Sequence, residues 1–423
     1  MIITGDAALG DAEATGGPSA AVLVRLIAMM LLEFVVFGSW FATLGEVLAT
    51  HGAAGIIGNA YFLVAIAAII SPLFMGAVGD RYLAPRNLMS LLHFASACVI
   101  VLIPTTLLGG HLMLTLALIF ITMLFFLPTV ALANTIALVE LGMHQRIFPY
   151  VRVFGTFGWA LAGFGLAGLH LSASVSVFYA AAASGVLMAI VAQTLPHRAP
   201  PSADAHFSLG DLIGIKALVL FRDRRFAVLM LCALLTSISL GVYNTWISVI
   251  LPVLGFARES VGGVMAMGQM SELAFIVTIP FVLSRIGMKW ALLMGMGMWA
   301  VRFMLFFAAA HGIMGAAWIG VLLHGICSDY FIVVSAMFIA HCAPPELAAQ
   351  GQSWLVLMVS GFGQAIGSKL SGEVHAAFVA PHAALGAIAW TPLLLLPVFL
   401  GVMTSAIWIL LFPSKPKQQR NAA

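Results

Sequence analysis

Residues 76–86 read GAVGDRYLAPR and separate two long apolar segments. A second short basic turn, SRIGMK at residues 284–289, separates two further apolar segments in the second half of the chain. Each turn combines small residues with Lys or Arg, which is typical of a cytoplasmic connection between membrane helices. Each turn also follows the second apolar segment of its half, which indicates an internal repeat.

The rest of the chain is strongly apolar. Hydrophobic residues make up 62% of its 423 residues and charged residues 8%. The mean hydropathy of +1.11 implies more apolar surface than a water-soluble domain can bury. Ten-residue alternation, the mark of a membrane barrel, is absent. We therefore predict an all-α membrane protein with twelve transmembrane helices, at about 22–48, 55–79, 88–107, 111–139, 149–171, 174–195, 226–252, 260–284, 289–309, 312–341, 347–373 and 384–412.

The longest polar interval, PHRAPPSADAHFSLGDLIGIKALVLFRDRR at residues 196–225, follows the sixth apolar segment. It divides the segments into two sets of six. We predict two pseudo-symmetric six-helix bundles at residues 22–195 and 226–412, this linker between them, and tails at residues 1–21 and 413–423.

Basic residues set the expected orientation. The Lys and Arg residues of the loops fall on one side of this arrangement, whereas the opposite loops contain only Arg258. The positive-inside rule therefore places both termini and the linker in the cytoplasm.

Several classes of function are disfavoured by what the sequence lacks. The net charge is +3 and the basic residues are scattered, so we expect no nucleic-acid partner. The four cysteines lie far apart, and no Cys/His cluster suggests a metal site. Neither GxSxG nor HExxH occurs, so we expect no enzyme, no metal and no cofactor other than a proton gradient. A receptor that binds a ligand without transporting it stays an alternative, although no soluble output domain is present.

Charged residues inside apolar segments are the first functional candidates, because charge at membrane depth is expensive and usually lines a water-filled path or pairs internally. Glu272 lies near the middle of the eighth segment, with Gln269 on the same helical face. Asp329 lies near the middle of the tenth segment. Desolvation favours a neutral carboxyl group, so either acid can bind and release a proton. The alternative is a structural ion pair with Arg302.

The turn at residues 76–86 resembles the G-x-x-x-D-R loop signature of the major facilitator superfamily, with Gly76, Asp80 and Arg81 as its gating residues. Seven other stretches, in order, resemble the bacterial nucleoside:proton symporter family, which includes nucleoside and xanthosine permeases. They are residues 38–45, 128–135, 152–158, 269–272, 299–303, 329–331 and 360–363. The resemblance implies the major facilitator fold and proton-coupled nucleoside uptake by alternating access. It also implies a multi-pass protein of the bacterial inner membrane, which we expect to be a monomer.

The resemblance also implies a site. Some positions match the family's substrate site or its gate, and we add others beside them. Together they are Arg152, Thr156, Trp159, Asn244, Gln269, Glu272, His324 and Asp329. Glu272 and Asp329 are candidates for proton coupling as well as for substrate binding. Of the 12 histidines, only His324 is expected to lie deep in the membrane.

Some positions depart from the family pattern. Glu33, near the middle of the first segment, replaces an uncharged amide of close relatives, so it is a third proton-coupling candidate. Its alternative role is structural, as the partner of a basic or hydroxyl neighbour. Gly241 replaces an amide of the studied carriers, and His324 and Ser328 replace aromatic residues. We therefore expect a proton-coupled carrier whose favoured solute is a nucleoside, with a sugar or another hydroxylated solute as the alternative.

Overall fold

The computed structural model describes residues 18–74, 83–198 and 215–413, and helices fill nearly all of these ranges. The described ranges contain no strand, which confirms the predicted all-α class. The predicted gating residues Gly76, Asp80 and Arg81, and most of the predicted linker, lie outside the described residues.

The first half contains six long helices, which we call spans one to six. Short helices at Leu44–Thr50 and Ile103–Leu108 continue spans one and three, and the Ser19 hydroxyl caps the start of span one by accepting from the Val22 amide at 3.3 Å. The six bounds are Ala20–Gly38, Ile57–Phe74, Pro85–Ile100, Leu112–Leu141, Phe148–Gly168 and Ser176–Gln193.

The second half is less regular. Span seven is Arg224–Val253, and span eight begins as Val261–Ile276. The helix Ile279–Ala310 completes span eight and forms span nine, with a break at Gly287, whose φ of 76° favours a residue without a side chain. This break is the second basic turn predicted from the sequence.

Spans ten and eleven each change helix type near their middle. Span ten consists of Gly315–Leu322, His324–Ser328, the π-helical Asp329–Val333 and Val334–Cys342. Span eleven consists of Pro345–Val356, the π-helical Leu357–Gly363 and Gln364–Val374, and span twelve is Thr391–Leu411.

The described residues contain nine continuous helical stretches that are long and apolar enough to cross a membrane. Two of them, Leu112–Gly168 and Glu346–Leu411, hold two spans each. Val261–Ile276 has only 16 residues before its turn, so it falls short of the 18 that define such a stretch. Together these account for the predicted twelve crossings.

The two halves meet along two pairs of helices. Span two packs on span eleven, and span five packs on span eight. A Cβ atom at Gly58 would lie 2.8 Å from the Cα atom of Gly372, and one at Gly163 would lie 2.6 Å from the carbonyl oxygen of Gly262. Small residues thus bring the backbones of the two halves together, and both crossings lie towards the membrane face opposite Ala20 and Leu411, the outer ends of spans one and twelve.

Polar contacts join the halves at that same face. Arg258 Nη1 donates to Glu46 Oε1 at 2.5 Å, and the Glu46 amide donates to Ser248 Oγ at 3.2 Å. Lys369 Nζ donates to Asn59 Oδ1 at 3.1 Å. The two halves are therefore joined by polar contacts at the face opposite Ala20 and Leu411.

Candidate functional site

A cavity of about 270 Å³ lies between the two halves. Both halves contribute four spans to its wall, as expected for a site at the interface of two repeats. Its lining residues are Phe37, Phe41, Ala42, Val64, Ala65, Ala68, Leu127, Trp159, Leu240, Tyr243, Asn244, Met265, Gln269, His324, Ser328, Ser360 and Gln364.

The side of the cavity formed by the first half is apolar and aromatic. The Trp159 ring meets Phe37 edge-on, with centroids 5.0 Å apart and planes at 81°. It meets Phe41 in the same way, at 6.2 Å and 69°. These three residues, which we call the aromatic wall, offer flat apolar surface for a ring system of the solute. Phe41 was not among the site residues expected from the sequence.

The side formed by the second half is polar, and Glu272 lies behind it. Gln269 Nε2 donates a short hydrogen bond to Glu272 Oε2, and His324 Nε2 lies 3.2 Å from Glu272 Oε1. Arg302 Nη1 lies 3.0 Å from His324 Nδ1. An arginine can only donate, so His324 Nδ1 accepts and its Nε2 carries the hydrogen that is given to Glu272. The chain of contacts therefore fits a neutral His324 and an ionised Glu272 that accepts from two donors.

Arg302 anchors this chain. Its side chain is fully buried, its Nε donates to the Gly320 carbonyl at 2.7 Å, and its guanidinium lies 3.8 Å from the centroid of the Tyr243 ring. The structural alternative was a direct ion pair between Arg302 and Glu272 or Asp329. That pair does not form, because Arg302 contacts His324, which in turn contacts Glu272. Stacking on Tyr243 compensates part of the loss of water around the buried charge.

A pair of amides forms another part of the polar side. Asn244 Nδ2 donates to Gln364 Oε1 at 2.8 Å, and both residues line the cavity. Gln364 was missed in the sequence, although it follows Ser360 by one helical turn in an apolar segment. Gly241 is not among the lining residues: a Cβ there would lie 2.8 Å from the Gln364 carbonyl oxygen. Because Gly241 has no side chain, span eleven can approach it closely. The cavity therefore receives an amide from Gln364 of span eleven, in place of the amide that the studied carriers have at position 241.

The predicted site residues therefore fall into two groups. Trp159, Asn244, Gln269 and His324 line the cavity, and Glu272 is hydrogen-bonded to two of them. Arg152, Thr156 and Asp329 are not among the lining residues. Asp329 is buried in the π-helical turn after Ser328, and its Oδ2 has no hydrogen-bond partner among the described residues. Arg152 lies over the Phe34 ring at 4.4 Å and interacts electrostatically with both Glu272 and Glu33.

Glu33 lies away from the cavity, inside the first half. Its Oε2 is 2.8 Å from His93 Nε2, and its Oε1 is 2.6 Å from Thr129 Oγ1. All three residues are fully buried. The expectation that His324 is the only deep histidine is therefore wrong, because hydropathy placed the third segment correctly but gave no weight to a single polar residue within it. The described residues contain no group of three or more His, Cys, Asp or Glu side chains that could hold a metal ion.

Comparison with solved structures agrees with the fold. Nucleoside transporter NupG superposes with a TM-score of 0.82 at 25% identity, covering 93% of this chain and all of that one. The D-xylose-proton symporter superposes with a TM-score of 0.70 at 14% identity, over 93% of this chain and 98% of the other, and supports the fold alone. These similarities confirm the predicted major facilitator fold.

Sequence comparisons extend over most of the chain. The Escherichia coli K12 protein described as a putative nucleoside transporter, YegT, is 31% identical over 360 residues, which cover 82% of this chain and 83% of the relative. The xanthosine permease of the same organism is 30% identical over 370 residues, covering 83% and 87%. The family model for the nucleoside H⁺ symporters matches residues 20–418. The chain therefore belongs to the nucleoside H⁺ symporter family, a family of membrane transporters.

Proposed function

We propose that the cavity binds a nucleoside and that the protein carries it into the cell together with protons, by rocking its two halves around that cavity. The observation that carries this proposal is the division of the cavity between the aromatic wall and the polar side anchored by Arg302. A nucleoside has the matching parts, because its base is flat and apolar on its faces while its ribose carries hydroxyl groups.

The base is expected to lie against the aromatic wall of Phe37, Phe41 and Trp159. Stacking of a base on an aromatic side chain is worth about 1–3 kcal/mol and tolerates any base. The ribose hydroxyls are expected to meet the polar side, where Gln269 and His324 line the cavity and Glu272 accepts from both behind them. Hydrogen bonds to an ionised carboxylate are about twice as strong as neutral ones, so we propose that Glu272 holds these two residues against the ribose and becomes its acceptor as the halves move.

Coupling requires that proton and substrate prefer the same conformation. Glu33, Glu272 and Asp329 are the acids at membrane depth that we propose for the proton. We propose that protonation outside favours substrate binding and that proton loss to the cytoplasm favours release. Arg152 and Thr156, half-buried on span five, are proposed to contact the substrate as the halves move.

The remaining features of this proposal come from the sequence. The distribution of Lys and Arg supports a bacterial inner-membrane protein with both termini and the linker in the cytoplasm. We propose bundles at residues 22–195 and 226–412, gating by the turn at Gly76, Asp80 and Arg81, and a monomer with no partner other than lipid, substrate and protons.

A sugar or another hydroxylated solute is the second candidate. The observation that favours it is that His324 and Ser328, two polar residues, line the cavity where the studied carriers have aromatic residues. A more polar wall would suit a solute with hydroxyl groups on several sides.

Uptake of labelled uridine and adenosine by cells that lack their own nucleoside carriers tests the proposal. We expect accumulation that collapses when a protonophore is added. Glu272→Gln should weaken substrate affinity about 10- to 100-fold, because a hydrogen bond to a charged group is worth about 1.5–3 kcal/mol. Glu259→Gln, in an exposed turn beside Arg258, is the matched control. If xylose or glucose abolished uptake while excess nucleoside left it unchanged, the second candidate would be established instead.

A further inference from the structure

Three fully buried polar side chains meet inside the first half, one each from spans one, three and four. They are Glu33, His93 and Thr129. A buried carboxyl group is costly to keep ionised unless strong donors or a cation surround it. The hydrogens in this cluster can be assigned from its geometry, and they show which form of Glu33 fits.

Thr129 has one hydroxyl hydrogen but two oxygen neighbours. Its Oγ1 lies 2.6 Å from the Phe126 carbonyl oxygen and 2.6 Å from Glu33 Oε1. With an ionised Glu33 the single hydroxyl hydrogen serves either the carboxylate or the carbonyl, whereas with a protonated Glu33 both contacts carry a hydrogen. The arrangement therefore fits a protonated Glu33 that donates to Thr129.

The histidine agrees with this assignment. His93 Nε2 lies 2.8 Å from Glu33 Oε2, while His93 Nδ1 is buried without a hydrogen-bond partner among the described residues. A charged imidazolium would leave a buried N–H unpaired at Nδ1, which is unfavourable. A neutral His93 donates from Nε2 to the carbonyl oxygen of a neutral Glu33. Its Nδ1 then carries only a lone pair and leaves no N–H unpaired.

The contacts thus fit opposite states of the acids in the two halves. Glu272 accepts from Gln269 and His324, which fits an ionised carboxylate beside the substrate cavity. Glu33 fits a neutral acid that is shut off from the cavity. Its neighbour Phe126 packs on Phe37 with centroids 5.0 Å apart, and Phe37 lies between this cluster and the cavity.

Arg152 connects the two acids. It comes from span five, which packs against span one, and it interacts electrostatically with Glu33 and with Glu272. Spans four and six also pack against span one. Span six contributes no charged residue, and Glu140 of span four is paired with Arg198, so His93 and Arg152 are the charged or titratable groups that face Glu33 from neighbouring spans. When Glu33 is neutral, Arg152 is available to Glu272 and its substrate. When Glu33 is ionised, its carboxylate competes with Glu272 for Arg152.

Resting on the proposed function, we infer that Glu33, His93 and Thr129 form a proton-binding site separate from the substrate cavity, and that Glu33 carries the coupled proton. The proton reaches the Glu33 carboxylate from outside and leaves it for cytoplasmic water, so one O–H bond forms and later breaks. On release, the Thr129 hydroxyl turns from the Phe126 carbonyl to the carboxylate, which His93 Nε2 continues to serve as a donor. Thr129 and His93 are positioning residues.

The test uses the full chain in liposomes, with two transport readouts. One is accumulation of labelled uridine driven by a proton gradient, and the other is counterflow into liposomes preloaded with uridine, without a gradient. Glu33→Gln keeps the shape of the neutral acid, because its amide can donate to Thr129 and accept from His93. We expect this variant to lose accumulation and the pH dependence of uptake while counterflow continues. Glu259→Gln is expected to behave as the unaltered protein in both assays.

His93 provides the second variant pair. His93→Phe removes the donor that stabilises the ionised form, so Glu33 should hold its proton more tightly. We expect the pH midpoint of uptake to rise by about one unit, which is roughly tenfold in proton affinity. His93→Gln restores a donor and should return the midpoint towards that of the unaltered protein, which a purely structural role would not produce.

Accumulation by Glu33→Gln with unchanged protonophore sensitivity and pH dependence would overturn the inference. A lack of uridine counterflow by the unaltered protein would overturn the proposed function instead. Infrared spectroscopy separates the two, because it needs no substrate. A protonated-carboxyl band at neutral pH that disappears in Glu33→Gln supports the site, and an identical band in both proteins contradicts it.

Discussion

Replacing Arg258 by Gln should open the membrane face opposite Ala20 and Leu411, where Arg258 lies. Arg258 and Glu46 come from different halves of the protein and form an ion pair at 2.5 Å. The Glu46 side chain is fully buried, and its Oε2 already lacks a hydrogen-bond partner among the described residues. Because the pair can exist only while that face is closed, its removal destabilises the closed state alone.

The size of the effect follows from the exposure of the two partners. A hydrogen bond to a charged group contributes about 1.5–3 kcal/mol. The Arg258 side chain is 56% exposed, so solvent screening favours the lower end, about 1.5 kcal/mol. Every 1.4 kcal/mol changes an equilibrium about tenfold, and we therefore expect roughly a tenfold shift from the closed towards the open state of that face.

Thiol labelling measures this population. Ser360→Cys places a thiol in the cavity wall, in a background where the four native cysteines have been replaced. A membrane-impermeant maleimide, added on the Arg258 side, should then react roughly tenfold faster in Arg258→Gln. Arg258→Lys keeps a cation opposite Glu46 and should change the rate less.

Glu46→Gln closes a double-mutant cycle. If the ion pair carries the effect, Arg258→Gln should add little once Glu46 is already neutral. An unchanged labelling rate in Arg258→Gln, or the same acceleration in the Glu46→Gln background, would refute the reasoning.

Two further predictions concern the packing of the site. Arg302→Met should weaken nucleoside binding about 10- to 100-fold, because one hydrogen bond of about 1.5–3 kcal/mol orients His324. Calorimetry on the purified protein measures this affinity. An unchanged affinity would show that His324 does not depend on Arg302 for its orientation. Gly158→Ala should lower the apparent melting temperature by a few degrees, because a Cβ there collides with the Leu31 carbonyl oxygen of span one and overpacking costs about 1–3 kcal/mol. Gly165→Ala, on the same helix with open space around it, is its control, and equal melting temperatures for both variants would contradict the expected clash.

The sequence predicted the number and approximate limits of the spans, because bilayer thickness fixes the length of an apolar helix. It also predicted the turn at Gly287. It gave less warning of the break after span one, where Gly38 ends one helix and Leu44 begins the next within a single apolar segment. Hydropathy alone cannot show such a break.

The rotation of each span about its own axis could not be predicted in the same way. Glu33 is buried within span one but faces His93 and Thr129 instead of the cavity. Gly241 stands at a position associated with the substrate, yet it faces the backbone of span eleven. Both orientations depend on how neighbouring helices pack, which a pattern of apolar residues all around a helix does not specify.

Two of the three π-helical segments of the described residues lie at the cavity and make it sensitive to chain length. Asp329–Val333 follows Ser328 directly, and Leu357–Gly363 contains Ser360 and precedes Gln364. A π turn accommodates one more residue than an α turn and often arises by a single insertion. Loss of one residue from Leu357–Gly363 is therefore absorbed as ordinary α-helix, and the helices on either side keep their orientation. Within the segment each position shifts by about 100° around the axis, so such a deletion would turn Ser360 away from the cavity wall while Gln364 stays opposite Asn244. A one-residue length change would thus alter the surface that the solute meets and leave the fold intact.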